Sequence, residues 1–372
     1  MIKINPQQYH IAGTFLDDFD YHTVLKTMVA GITPGNIYVD QLNRPNLFFA
    51  QFRHRAFFNG DQDISEKFNL KQFLQDKVFS HCRETEVPLV RIAPGSKASF
   101  NFLNRQLTSL DPIIETYQIY QFDLSKTPGK ALLTEGFDLQ MVNRELISKE
   151  FNGKNDLMEE MCSERESVEA FLEHSFGIAA FLENTLAGWC LSEYNYQHRC
   201  EVGIATMVPF RQQGLAKAMT YEFLDLSTRH GINTVLWHCA KSNTASSKTA
   251  LSAGFSLVVE EPVLIIYIDR GINLAVHGNI CFENRDYQEA IEWYQKALSE
   301  ENPQAWIPWN AACAAALLQK KDLAFDNLFK AVKLGFSDLD RLTQSKHLVQ
   351  LRDDPRWGKV IVSLNQALYE KT

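Results

Sequence analysis

At 372 residues the chain is long for a single hydrophobic core, so two or three domains are expected. Its 45% hydrophobic and 22% charged composition is that of a soluble globular protein, and a formal charge of −8 argues against nucleic acid as a partner. The apolar run at 263–268 is far too short to cross a bilayer, so no membrane association is expected, and no apolar signal segment follows the opening Met-Ile-Lys-Ile. The seven cysteines are scattered without Cys-x-x-Cys spacing and no two of the ten histidines stand at i, i+4, which predicts a cytoplasmic protein with reduced thiols and no metal site.

Residues 1–138 read as an α/β domain. A helix is expected over 13–30, then strands at 36–39 and 47–52 separated by the turn residues Asn43-Arg44-Pro45-Asn46. A helix at 65–82, a strand at 88–92, a helix at 97–107 and a strand at 114–122 complete it. The second unit, 139–270, opens with helices near 143–147 and 168–172. Strands at 176–181 and 186–191, joined by Glu183-Asn184-Thr185, read as a hairpin. A strand at 200–208, a helix from Leu215 and a strand at 234–239 follow. A polar helix from Asn243 to Ala253 stops at Gly254, and a strand pair, 255–260 and 263–268, closes the unit.

The stretch Arg211-Gln212-Gln213-Gly214-Leu215-Ala216 joins an apolar β-like run to an amphipathic helix. Gly214 allows close backbone approach, and the N–H groups of about Gln212 to Ala216 are free to hold anionic oxygens. Two readings of Arg211 stand: it reaches a phosphate, or it is a solvated side chain that fixes the loop.

Three segments in order, Glu201-Val202-Gly203-Ile204-Ala205-Thr206, the Arg211–Ala216 loop, and Asn243 and Ser246 with Gly254-Phe255, resemble the GNAT family of N-acetyltransferases. The resemblance spans about 140–270 and implies an α/β GNAT fold, a mixed sheet with flanking helices. It also implies that acetyl-CoA is the co-substrate, with its pyrophosphate on Arg211, Gln212, Gln213, Gly214, Leu215 and Ala216. Main-chain groups of Thr206, Met207 and Val208 would pair with the pantetheine arm as an added strand does, and Asn243 and Ser246 open the helix that follows the fifth strand. The whole layout resembles, more loosely, bacterial acetyltransferases of the zwittermicin-resistance type, which implies a diverged GNAT-like domain in 1–138.

Direct acetyl transfer to an amine needs a base, a group that polarises the thioester carbonyl and a donor for the leaving thiolate. Glu201 is the base candidate, since strand alternation places it on the face of Gly203 and Ala205; the other reading is a strand-edge Glu paired with a cation such as Arg199. Glu193 and His198 stand in reserve. The resemblance leads one to look for a tyrosine seven residues after Asn243 as the thiolate donor, but the residue there is Ala250, so no acid is assigned. Adjacent strand residues His238 and Cys239 point to opposite faces, which disfavours thiol catalysis.

From 271 to 372 the character changes. Ala290 and Ala297 are followed 34 residues later by Ala324 and Ala331, Tyr294 by Leu328, and Gly278 by Ala312. This period resembles the tetratricopeptide repeat, with Leu274 and Cys281 as departures from its usual residues. Such an all-α tail implies either a peptide- or protein-binding groove or a packing element. The leading expectation is an acetyl-CoA-dependent N-acetyltransferase acting on a small-molecule amine. Alternatives are a non-catalytic acyl-CoA sensor whose repeats bind a protein, and a protein N-acetyltransferase.

Overall fold

The structure, a computed structural model, describes residues 1–60, 68–130, 133 and 135–369. Its residues group into two compact units. The first comprises Met1–Asn69, Arg91–Arg105 and Ile114–Leu264; the second comprises Leu70–Val90, Gln106–Ile113 and Ile265–Thr372.

Most of a mixed sheet of twelve strands lies in the first unit: β1 (Ile2–Ile4), β2 (Asn36–Val39), β3 (Leu47–Phe52), β4 (Arg55–Gly60), β5 (Leu89–Pro94), β6 (Ile113–Asp123), β7 (Phe137–Met141), β8 (Gly177–Leu182), β9 (Thr185–Tyr196), β10 (Arg199–Thr206), β11 (Thr234–Ala240) and β12 (Ser256–Tyr267). The order is β1-β2-β3-β4-β5-β12-β6-β11-β10-β9-β8-β7, with β4–β5 and β10–β11 parallel. Strand β8 shows how both faces are covered. Ile178 and Ala180 join one core with Met219, Phe223, Val235 and Trp237, while Ala179 and Phe181 join another with Leu146, Leu157, Met161 and Phe171. A strand buried on both faces reads as a continuous apolar run rather than an alternating one. Helix Leu215–Arg229 buries Leu215, Met219, Phe223 and Leu226 on one stripe, at spacings of four, four and three.

Several expectations are corrected. Instead of one helix over 13–30, a 3-10 helix Pro6–Phe19 is followed by an α-helix Thr23–Val29. Buried Tyr9, Ala12 and Phe15 recur every third residue, the period of a 3-10 helix. Strands β4 and β7 and helix Lys154–Ser163 are additions. The hairpin expected over 255–268 is instead the single strand β12, running through Glu261 and Pro262. Of the helix expected at 65–82, residues 65–67 lie outside the described residues. The rest is Leu70–Phe73, a π-helical turn Leu74–Phe79 and Ser80–Glu84.

The second unit is mainly helical beyond residue 265. Helices Arg270–Glu283, Tyr287–Leu298, Trp306–Leu317 and Lys321–Lys333 pack each on the next, and Pro355–Tyr369 packs on the last of these. Gly278 lies so close to the Tyr294 ring that any side chain would collide with it. Asn279 Oδ1 accepts from Tyr294 Oη at 2.8 Å and from Asn310 Nδ2 at 2.9 Å, tying three helices together. No helix among the described residues is long and apolar enough to cross a membrane.

Candidate active site

The β10–β11 ladder runs from Arg199–Thr234 to Val202–Trp237 and stops there, while β10 continues against β9 through Thr206. The edge of Gly203–Thr206 that faced β11 is thereby released from the ladder. This strand opening leads into the loop, where Met207 N–H donates to Ala187 O at 2.9 Å and Arg211 Nε donates to Thr206 O at 3.0 Å. Arg211 therefore braces the turn. The chain passes through left-handed Gln212 (φ +62°) and Gly214 (φ +76°) into helix Leu215–Arg229, which has no side-chain N-cap. Its first-turn N–H groups lack intrahelical acceptors.

A cavity of about 750 Å³ opens here, lined by Thr206, Arg211, Gln212, Gly214, Leu215, Ala216, Trp237, Asn243 and Ser246 among others. Val208 is exposed in the short 3-10 turn Val208–Phe210, and Met207 and Gln213 lie along the same segment. Asn243 caps the next helix by accepting from Ser246 N–H at 3.2 Å, and Ser246 Oγ accepts from Trp237 Nε1 at 2.9 Å. Strand opening, loop and cap thus face one space.

A second cavity, about 540 Å³, shares Ile204, Trp237, Asn243 and Ser246 with the first. It is lined by five carboxylates, Glu160, Glu164, Glu193, Glu201 and Glu261, with Arg55, Arg91, His22, His54, His238 and Tyr117. Arg55 Nη1 donates to Glu201, its Nη2 donates to Glu193 Oε2 at 2.7 Å, and Glu164 lies 3.7 Å away. His22 pairs with Glu261 at 3.0 Å, and His238 Nδ1 stands 3.8 Å from Glu201. The Tyr194 hydroxyl donates to Glu164, and its ring carries Arg55 on one contact and Arg165 on another, at 5.2 and 5.4 Å. Among the described residues, no group of His, Cys, Asp and Glu is arranged to hold a metal ion.

Glu193 enters the cavity because of a β-bulge. Glu201 pairs with Tyr194 and Val202 with Ser192, which leaves Glu193 as the extra residue. A Cβ on Gly203 would collide with the Glu193 carboxylate. Gly203→Ala should therefore displace that flexible carboxylate rather than the backbone. The expected result is a loss in kcat of about 10–100-fold with thermal unfolding within a few degrees of wild type.

The carboxylates are not equivalent. Burial, which would raise Glu201, is outweighed by the charge and hydrogen bond of Arg55, so its carboxyl lies below the ordinary range. Burial, joined by the Glu164 and Glu201 charges and only partly offset by Arg55, pushes Glu193 up to about 8. Burial lowers His238 despite Glu201, keeping the imidazole neutral; burial of His22 is outweighed by Glu261, which raises that ring above its ordinary value and favours its protonated form. Glu201 Oε2 and His238 Nε2 are buried without hydrogen-bond partners. A cavity with unsatisfied buried acceptors and a carboxylate excess fits a cationic ligand bearing N–H donors.

Glu201 thus lies in the cavity, but as the counter-charge of Arg55 with 1% exposure, not paired with Arg199, which reaches Asp20 instead. His198 bonds Gly231 O at 3.0 Å in the β9–β10 turn and does not line the cavity. Ala250 is fully buried in the core, so that position presents no group to either cavity. Sequence reasoning missed His22, Arg55, Arg91, Tyr117, Glu164 and Glu261; these have no common spacing and are brought together only by the sheet.

A family model described as GNAT acetyltransferase matches residues 14–264. An uncharacterized N-acetyltransferase of Bacillus subtilis, YdfB, is 24% identical over 266 residues, which cover 69% of this chain and 95% of that one. A solved structure of a GCN5-related N-acetyltransferase-like protein from Streptococcus suis aligns with a TM-score of 0.51 at 20% identity, over 70% of this chain and 98% of that one. A GCN5-related N-acetyltransferase from Sphaerobacter thermophilus gives 0.50 at 14% identity, over 72% and 94%. At those identities the structures speak to the fold.

Proposed function

The chain belongs to the GNAT acetyltransferase family, and from that premise we propose that it transfers the acetyl group of acetyl-CoA directly to the amine of a small, cationic molecule. The observation that carries this reading is the meeting of two unlike cavities at Ile204, Trp237, Asn243 and Ser246. One has the chemistry of an anion site, with an uncapped helix N-terminus behind a left-handed Gly214; the other is rich in carboxylate. Acetyl-CoA enters through the first, its pyrophosphate on the N–H groups around Gly214 to Ala216 and its pantetheine arm along Gly203–Val208. The acceptor ammonium enters through the second.

The proton that must leave the amine goes to Glu193 in this reading. Transfer from an ammonium with a pKa of about 10 costs about 3 kcal/mol to a carboxylate at about 8, but about 8 kcal/mol or more to one below its ordinary 4.5. Any change the cavity makes to the amine is common to both, so Glu193 is the better base. Glu201 then holds Arg55 and orients His238. Residues 1–138 contribute His22, Arg55, Arg91 and Tyr117 to the acceptor cavity, the part of a diverged GNAT-like domain walling off the acceptor. The helix pairs from residue 271 onward are read as tetratricopeptide-like, on the support of the close Gly278–Tyr294 crossing and the 34-residue period.

Isothermal titration tests the donor half. Gly214→Glu introduces a non-glycine residue at φ +76° and a negative charge beside the phosphates, and should weaken acetyl-CoA at least about 100-fold. Equal binding by wild type and variant would show that the loop does not hold the cofactor.

A further inference from the structure

Strands β4 and β5 pair in parallel with Arg55 opposite Arg91, so two guanidiniums stand side by side on the sheet. Like charges directly opposite repel, and the arrangement is tolerated only if each finds an anion. Arg55 has Glu201, Glu193 and Glu164. Arg91 has no carboxylate within ion-pair distance among the described residues. Its Nη1 lies 3.4 Å from His54 Nε2, its guanidinium lies 5.9 Å from the Tyr117 ring centroid, and its Nε is buried without a hydrogen-bond partner. His54 gives Arg91 no anionic help, because burial and the flanking Arg55, Arg91 and Arg53 push it down to about 3 and leave it neutral. Tyr117 is held protonated by burial. All three line the acceptor cavity.

We propose that the acceptor carries a carboxylate as well as an amine, and that Arg91 is the residue that binds it. Within the proposed acetyl transfer, on which this inference rests, Arg91 acts as the specificity residue. A half-buried guanidinium lacking an anion, with its Nε cut off from solvent, gains most from a planar two-oxygen partner that its fork can grip. A zwitterion also fits the cavity's polarity at both places, with ammonium beside the glutamates and carboxylate beside Arg91. A purely cationic diamine would leave Arg91 unpaired and add charge beside it.

Titration calorimetry at saturating CoA provides the test, with leucine, phenylalanine, lysine and γ-aminobutyrate each compared with the amine left when its carboxylate is removed. At least one acid should bind about thirtyfold or more tightly than its decarboxylated partner. In Arg91→Gln that ratio should collapse to about threefold or less, and Arg91→Lys, which keeps the charge but loses the fork, should retain part of it. Unchanged CoA affinity in both variants shows that they remain folded. No carboxylate preference in any pair, or a preference untouched in Arg91→Gln, overturns the proposal. Failure of the underlying reading is visible separately, as absence of thiol release from acetyl-CoA with every amine, while the binding ratios still report on Arg91.

Discussion

Glu193→Gln lowers kcat/KM for amine acetylation by about 10²–10⁴-fold and removes a rise in wild-type rate through about pH 8. The sign follows from the direction of the shift. Below about pH 8 the Glu193 carboxyl holds its proton and cannot take another, so the wild-type profile climbs as pH rises through that value. The glutamine variant has no group there to titrate, and only the acceptor's own deprotonation remains, at higher pH. A stability measurement gives an independent check. A carboxyl whose folded value is raised makes the native state bind protons more strongly than the unfolded chain does. Wild-type stability is therefore lost as pH climbs from the ordinary carboxylate range toward about 8. Glu193→Gln should gain in Tm relative to wild type at pH 8.5 compared with pH 5.5. A variant that keeps both its rate and its pH limb would move the base elsewhere, with neutral His238 next in position.

The Arg211–Ala216 loop and the Asn243 cap were legible because each is contiguous. A strand end, a turn and a helix start supply the Arg211–Ala216 loop within six residues, and Asn243 announces itself as an N-cap three residues before Ser246. The carboxylate-rich cavity is assembled from strands far apart in the chain, and local geometry hid its members. Strand β4, which carries Arg55, follows a tight Arg53-His54 turn with no Gly, Pro or Asn; Arg53 itself adopts φ +49°. Turn recognition depends on residues that favour such angles, so a left-handed arginine leaves no mark in the sequence. Glu193 stood only in reserve, for a different reason. Strict alternation puts it opposite Val202, and the bulge that re-aims it depends on backbone register between β9 and β10. The same blindness to long-range pairing made a hairpin of β12, whose centre carries Glu261 to its partner His22.

Arg55→Met destabilises the first unit by about 3–5 kcal/mol at pH 7, a fall in Tm of about 10 °C by calorimetry. The loss is that of a counter-charge, because methionine fills much of the same space. Glu201, almost fully buried, and Glu164 would be left without the guanidinium that now neutralises them, and Glu193, protonated at this pH, without its hydrogen-bond donor. The deficit should shrink as pH falls. In wild type, the lowered Glu201 contributes stability above the ordinary carboxylate range and loses it as pH falls through its folded value. In the variant, the glutamates instead take up protons and the repulsion fades. A buried ion cluster is weak support for a fold, since apolar replacements of similar volume are often as stable. That argument makes the decisive comparison a combined variant. Arg55→Met with Glu193→Gln and Glu201→Gln removes the arginine together with its closest acids and should recover most of the lost Tm, while acetyl transfer stays absent. Recovery of stability without turnover would identify the cluster as machinery for the reaction; a combined variant no more stable than Arg55→Met would make it a structural device.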